Sequence, residues 1–251
     1  MNITQTFYDN LASQYDKLFL DWKTTTDEQA EILKKIFSAY GFDSKAHILD
    51  CACGIGTQAI GLAKKGYKVT ASDISDGELC EAKRRAADAE VSIHFEHADF
   101  CALSDTFKEK FDIVIAMDNA LPHMLTSEDL EKAVSSIADR LSEKGIFIGS
   151  IRDYDALLES KPLYSPPYIH KTEKGQRVSF QVWDWKGDIY NLTQYIIDDE
   201  EKPEVSKFVC RYRATTRDEM SELFLRHGCS KADWLFPDET GFYQPIIVAT
   251  K

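Results

Sequence analysis

The chain has 251 residues, 43% hydrophobic and 29% charged, enough for one large domain or a domain carrying a sizeable insertion. With 30 basic against 42 acidic side chains its formal charge is −12, so it lacks the basic footprint of a nucleic-acid binder. No stretch approaches the roughly 18 apolar residues of a membrane span, no secretion signal is visible and six cysteines make no disulfide framework, so a cytoplasmic protein with reduced thiols is expected.

Taken in chain order, Tyr8, Tyr15 and Trp22 flank a helix expected over 10–20, placed to close over a ligand. Thr26 with Gln29 reads as a capping box, opening a helix with Leu33, Ile36, Phe37 and Tyr40 on one face and Gly41 as its stop. A buried strand over 46–51 follows, then a helix from Thr57 to Gly66 and a strand over 67–73. Ser75 and Glu78 form a second capping box ahead of a helix running to Asp88. Strands over 91–96 and 111–117, a helix over 127–141 and a strand over 145–152 continue the alternation, which predicts a doubly wound parallel sheet. Beyond Arg152 the rhythm changes. Residues 177–185 and 189–197 around Lys186-Gly187-Asp188 read as a hairpin, and 205–213 as a third extended segment of an antiparallel lid. A helix capped by Thr216 and two strands, 230–236 and 244–250, complete the chain. The expected division is 1–152 for N-terminal helices and core, 153–213 for the lid, and 214–251 for the end of the core.

The first strand ends in Asp50-Cys51-Ala52-Cys53-Gly54-Ile55-Gly56-Thr57 and runs straight into a helix. Glycines there permit a tight turn and close approach of a ligand, and the helix start offers free N–H groups. Asp73, nineteen residues beyond Gly54 at the end of the next strand, suits the two hydroxyls of an adenosine ribose. Ala59 occupies the third-glycine place of a dinucleotide fingerprint, so NAD is not excluded on glycines alone. Asp50 discriminates better: a carboxylate in the cradle repels a pyrophosphate but suits a cationic amino-acid ligand, which favours S-adenosylmethionine (SAM).

With Asp50, Gly54, Gly56 and Asp73 in these places, the chain resembles the class I SAM-dependent methyltransferases over nearly its whole length. The resemblance implies a Rossmann-like seven-stranded sheet with its last strand antiparallel and a β lid inserted after the fifth strand. It implies SAM as donor and S-adenosylhomocysteine as product, held by Asp50, Ala52, Cys53, Gly54, Gly56, Asp73, Ile74, Ala98, Asp99, Phe100 and Met117, with Tyr15 and Trp22 from the N-terminal segment. Arg152-Asp153-Tyr154-Asp155 followed by an antiparallel lid is similar to the glycine and glycine/sarcosine N-methyltransferases. In that group an Arg of an Arg-Asn-Tyr-Asp motif holds the substrate carboxylate, a role that falls on Arg152. Asn119 and the lid tyrosines Tyr168, Tyr195 and Tyr212 would line the acceptor pocket. Two departures stand out: Asp153 replaces Asn, and Lys23-Thr24-Thr25-Thr26 lies where the family often has an Arg for the SAM carboxylate.

Other readings are weighed beside this one. Asn119 is followed by Ala120, Leu121 and Pro122 rather than the Pro-Pro-Tyr of DNA amine methylases. Cys51 and Cys53 are too close for a usual zinc pair, and His94 and His97 fall on opposite faces of one strand, so no metal is expected. His123 is either a general base for O-methyl transfer or a loop histidine bonded to backbone. A small-molecule N-methyltransferase is the favoured function, with O-methyl or amino-sugar N-methyl transfer as alternatives. An NAD-dependent oxidoreductase and a non-catalytic SAM-binding protein are more distant. The expected partner is a small molecule, neither nucleic acid nor membrane, and a homo-oligomer is left open.

Overall fold

The computed structural model describes residues 3–172, 175–199 and 202–251. Seven strands form the main sheet: β1 (His47–Asp50), β2 (Lys68–Asp73), β3 (His94–His97), β4 (Phe111–Ala116) and β5 (Leu141–Ser150), then, after four lid strands, β10 (Lys231–Leu235) and β11 (Ile246–Thr250). Their order is β10-β11-β5-β4-β1-β2-β3, and β11 runs antiparallel to both its neighbours. The central strands are continuous apolar runs because helices cover both faces. Ile48, Ile113, Ile115, Ile146 and Ile148 pack into one core layer with Leu33 and Phe37; Leu49, Val114 and Phe147 pack into the other with Leu130, Val134 and Phe224. Strand order turns around between β1 and β4, which opens a crevice at their carboxyl ends.

The helices are α1 (Ile3–Leu11), α2 (Trp22–Ala39), α3 (Thr57–Lys64), α4 (Asp76–Asp88), α5 (Leu103–Thr106), α6 (Ser127–Arg140), α7 (Tyr154–Ser160), α8 (Arg217–Arg226) and α9 (Pro237–Thr240). Three expectations need correction. The helix expected over 10–20 is instead α1 followed by a 3₁₀ segment, Ala12–Leu18. Its buried residues Phe7 and Leu11 sit four apart, so the buried helical face belongs to α1, which ends one residue past Asn10. Next, α2 starts a turn before Thr26: Asp21 caps it by accepting from Lys23 N–H, and Thr26 Oγ1 donates back to the Trp22 carbonyl at 2.8 Å. Finally, only half of the Ser75–Glu78 box forms. Ser75 Oγ accepts Glu78 N–H at 3.1 Å, but Asp73 Oδ1 takes the Ser75 N–H at 2.9 Å and leaves the Glu78 carboxyl buried without a hydrogen bond.

The lid is a four-stranded antiparallel meander, β6 (Tyr168–Thr172), β7 (Gly175–Lys186), β8 (Ile189–Asp199) and β9 (Glu204–Arg213), in that spatial order. The hairpin turns at Gly187, whose φ of +70° is a conformation that glycine adopts without strain. β6 and α7 were not expected from the sequence. Pairing of Gln181 with Gln194, Trp183 with Leu192 and Tyr190 with Tyr212 puts these six side chains on the face toward the core. The opposite face carries Phe180, Tyr195 and Lys207, also mutual neighbours.

Helices α2 and α3 cross closely because Gly61 has no side chain: an added Cβ would lie 2.6 Å from the Thr26 carbonyl and 2.8 Å from Ala30 Cβ. Backbone cannot yield as a flexible side chain can. Gly61→Val should therefore lower unfolding free energy by about 1–3 kcal/mol, as overpacking of a filled contact does, measured by urea denaturation. A midpoint unchanged from the wild type would contradict this packing.

Candidate active site

The cradle is built by one carboxylate and two glycines. Gly54 and Gly56 have φ of +52° and +89°, and α3 begins at Thr57 with Gly56 as its N-cap; the Ala59 N–H of its first turn is directed at the buried Asp50 carboxylate. Gly54 N–H donates to Asp73 Oδ2 at 2.8 Å while Asp73 Oδ1 accepts from Ser75, so Asp73 joins the ends of β1 and β2. Each Asp73 oxygen keeps acceptor capacity for a ligand. A Cβ on Gly54 would come within 3.2 Å of Glu78 Oε2, and one on Gly56 within 2.9 Å of Ile60 Cδ1. Burial raises the pKa of Asp73, with the Ser75, Gly54 and Ile74 N–H groups opposing, and raises that of Glu78 well above the usual range.

A cavity of about 460 Å³ lies over this turn. Of the residues expected to hold the donor, Ala52, Cys53, Gly54, Asp73, Ile74, Ala98, Asp99, Phe100, Met117 and Tyr15 line it. Asp50, Gly56 and Trp22 do not. Asp50 lies beneath the turn, 1% exposed, its carboxyl pushed well above the usual range by burial. Gly56 shapes the backbone. Trp22 braces α3 from outside: its Nε1 donates to Thr57 Oγ1 at 2.9 Å and the Arg85 guanidinium sits 4.6 Å over its ring.

A second cavity, about 950 Å³, opens between the core and the lid. Asn119, Arg152, Tyr168 and Tyr212 line it, and Tyr8, Tyr15 and Asp118 line both cavities. Tyr195 does not reach it. It stacks on Phe180 on the far side of the lid, with centroids 5.1 Å apart, because strand alternation turns odd-numbered β8 residues outward. The inward tyrosine is Tyr190, whose hydroxyl accepts from Arg152 Nη1 at 2.6 Å.

Arg152 also donates to Gln181 Oε1 at 3.1 Å and is flanked by the Trp183 and Tyr212 rings at 5.0 and 5.2 Å. The neighbouring acids do not neutralise it: Asp153 and Asp155 pair with Arg217 at 2.5 and 3.2 Å. Among the described residues no carboxylate forms an ion pair with Arg152. Burial works against its charge, but the surrounding Tyr190, Tyr154 and Tyr212 oxygens hold its pKa above the usual value. Asn119 is fixed beside it, accepting the Arg152 backbone N–H at 3.1 Å.

His123 is buried with both ring nitrogens engaged, Nε2 with the Tyr8 hydroxyl at 2.8 Å and Nδ1 with the Arg211 carbonyl at 3.1 Å. Nδ1 must donate to a carbonyl, so Nε2 accepts and the ring is neutral. Its environment matches the backbone-bonded reading rather than a free general base. Sequence reasoning missed Asp118, Gln58 and Tyr8 as wall residues and Tyr190 as the partner of Arg152. Tyr190 was recoverable from alternation with Tyr212; Asp118 was visible only as an Asp-Asn pair after a strand.

Comparison with known proteins follows this geometry. Residues 48–145 match the family described as a methyltransferase domain. A glycine/sarcosine N-methyltransferase from Parasynechococcus marenigrum is 28% identical over 155 residues, 62% of this chain and 54% of that protein. The chain thus spans about half the length of the curated relatives it matches. A SAM-dependent methyltransferase structure from Clostridium acetobutylicum superposes with a TM-score of 0.74 at 18% identity, over 97% of both chains. The SAM-bound amino pentose methyltransferase of calicheamicin biosynthesis from Micromonospora echinaspora gives 0.73 at 18% identity, covering 90% of this chain and 91% of that one. Residues 48–145 thus resemble a methyltransferase domain, and the chain shares the fold of these SAM-dependent methyltransferase structures.

Burial pushes His123 down to about 3, the Arg211 carbonyl opposing and Arg152 adding to the shift. The stability it contributes is present above its ordinary value of 6.5 and is lost as pH falls from there toward 3, because only the unfolded chain then takes up the proton. The His123 Cε1 proton resonance, assigned by His123→Asn, should stay flat between pH 8 and 4.5. A titration midpoint near 6.5 would contradict the bonding described.

Proposed function

We propose that this protein is a SAM-dependent methyltransferase acting on a small-molecule acceptor, with the nitrogen of an amino acid such as glycine or sarcosine as the methylated atom. The observation that carries the acceptor class is Arg152, a half-buried cation that forms no ion pair with an acid among the described residues and faces a cavity that shares walls with the donor cradle. An acceptor carboxylate would meet the guanidinium in a charge-assisted pair.

The cradle suits the donor's parts. Asp73 offers two oxygens to ribose hydroxyls, and Asp99 and Phe100 offer a polar and an apolar contact to adenine. When bound, SAM supplies an electrophilic methyl group on a sulfonium, so the residues need only bind and align. Tyr8 and Tyr15, on both cavities, close the space in which transfer takes place and exclude water from it. Asn119 and Arg152 hold the acceptor so that its lone pair lies in line with the methyl–sulfur bond. Alignment of this kind supplies roughly 7–11 kcal/mol. The aromatic faces of Tyr15 and Tyr212 add cation–π attraction of about 0.5–2 kcal/mol toward positive charge.

A second reading, N-methylation of an amino sugar, is favoured by the second cavity's volume of about 950 Å³, roomier than an amino acid needs, and by likeness to the amino pentose methyltransferase fold. O-methylation has less support, since His123 holds no free nitrogen to serve as base.

Titration calorimetry with S-adenosylhomocysteine should give binding to the wild type and none to Asp73→Ala, which loses the ribose contact and releases Gly54. Arg152→Ala should bind the product normally while its KM for the acceptor found by a labelled-SAM screen of amino acids, amino sugars and phenols rises at least tenfold. An unchanged KM would remove the carboxylate anchor and favour an uncharged acceptor.

A further inference from the structure

The order of the main sheet lays out the donor's path. Asp99 and Phe100 follow β3, Asp73 ends β2 and Gly54 follows β1, so a nucleoside held by these residues lies over the β3–β2 side of the crevice. Whatever extends beyond its ribose passes Gly54 and continues over β4, next in order after β1. The side chain waiting at the end of β4 is Asp118. It lines the donor cavity together with Thr57 and Gln58, across from the start of α3.

Asp118 is held to this position. It and Asn119 have φ of +56° and +71°, consecutive left-handed residues without a glycine, a conformation that costs roughly 1–3 kcal/mol per residue and that Asp and Asn tolerate best. Oδ2 accepts from Gln58 Nε2 and Oδ1 from the Tyr243 hydroxyl, each at 2.8 Å. Both donors are neutral, each oxygen retains a lone pair, and among the described residues no lysine, arginine or histidine forms an ion pair with it. Burial raises its pKa, with Gln58 and Tyr243 opposing. A carboxylate so placed lacks a positive partner.

We propose that Asp118 binds the ammonium group of the donor's amino-acid end. This rests on SAM being the donor. Asp50, the acid that the motif suggests for this role, lies under the turn and does not line the cavity.

The test compares two ligands by calorimetry on the full chain: S-adenosylhomocysteine, and 5′-methylthioadenosine, which keeps nucleoside and sulfur but lacks the amino-acid end. Asp118→Asn should lower affinity for the first at least tenfold and leave the second within about twofold. Asp118→Gly suits the positive φ, keeps the fold and should show the same pattern. Equal affinity of wild type and Asp118→Asn for S-adenosylhomocysteine overturns the assignment, as does an equal loss for both ligands. If the wild type binds neither, the donor reading itself falls and takes the assignment with it; if the wild type binds both, only the role of Asp118 is in question.

Discussion

The hydrogen bond from Gly54 N–H to Asp73 Oδ2 is the constraint on which the site depends. It requires the turn after β1 to curl back toward β2, which the chain achieves by entering the left-handed region at Gly54 and again at Gly56. The other Asp73 oxygen holds Ser75 N–H at the start of α4, so a single carboxylate locks the turn, the end of β2 and the helix that follows. Glu78, deprived of the N–H it would otherwise accept, remains as a buried acid beneath Gly54. A rigid cradle results before any ligand arrives, and rigidity is what keeps two reacting groups aligned.

The second half of the site is assembled from elements remote in sequence. Asn119 follows β4 and Arg152 follows β5; the Arg152 backbone N–H donates to Asn119 Oδ1, so the ends of two adjacent parallel strands are tied together at the mouth of the crevice. The lid then supplies neutral acceptors, Tyr190 and Gln181, and two aromatic rings around the guanidinium, and among its described residues no acid pairs with it. Arg217 takes the two neighbouring aspartates away from Arg152. Orienting an arginine without neutralising it leaves its charge for an incoming anion.

The cradle was legible because its signal is local: glycines, an acid at a fixed spacing, and a strand leading into a helix all lie within 24 residues, 50–73. The alternation of strands and helices likewise exposed the main sheet, while its antiparallel last strand was expected only from the family resemblance. What failed was decided by contacts between distant segments. Tyr195 and Tyr190 are both aromatic residues on one strand, and only the register of β8 against β7 and β9 decides which faces the core. Thr26 with Gln29 matched a capping box, yet Asp21 supplied the cap one turn earlier, a competition that short motifs cannot resolve. Asp118 lies just past the strand expected over 111–117; its fixed position comes from Gln58 and Tyr243, residues 60 and 125 positions away.

Asp50 was expected to meet the ligand's cation, but it is sealed under the turn with its pKa raised by burial, as are Glu78 and, less strongly, Asp73 and Asp118. These four acids lie under or around one small turn, and Arg85, the cation that eases Glu78, is already engaged with Asp16 and Glu81. Buried acids that lack cationic partners make the cradle unfavourable for a pyrophosphate, and each negative charge that remains ionised strengthens the attraction for a positive group at short range. Only Asp73 and Asp118 of the four are on the cavity wall. One therefore suits the neutral sugar and the other the cationic tail, while the two sealed acids shape the field from behind.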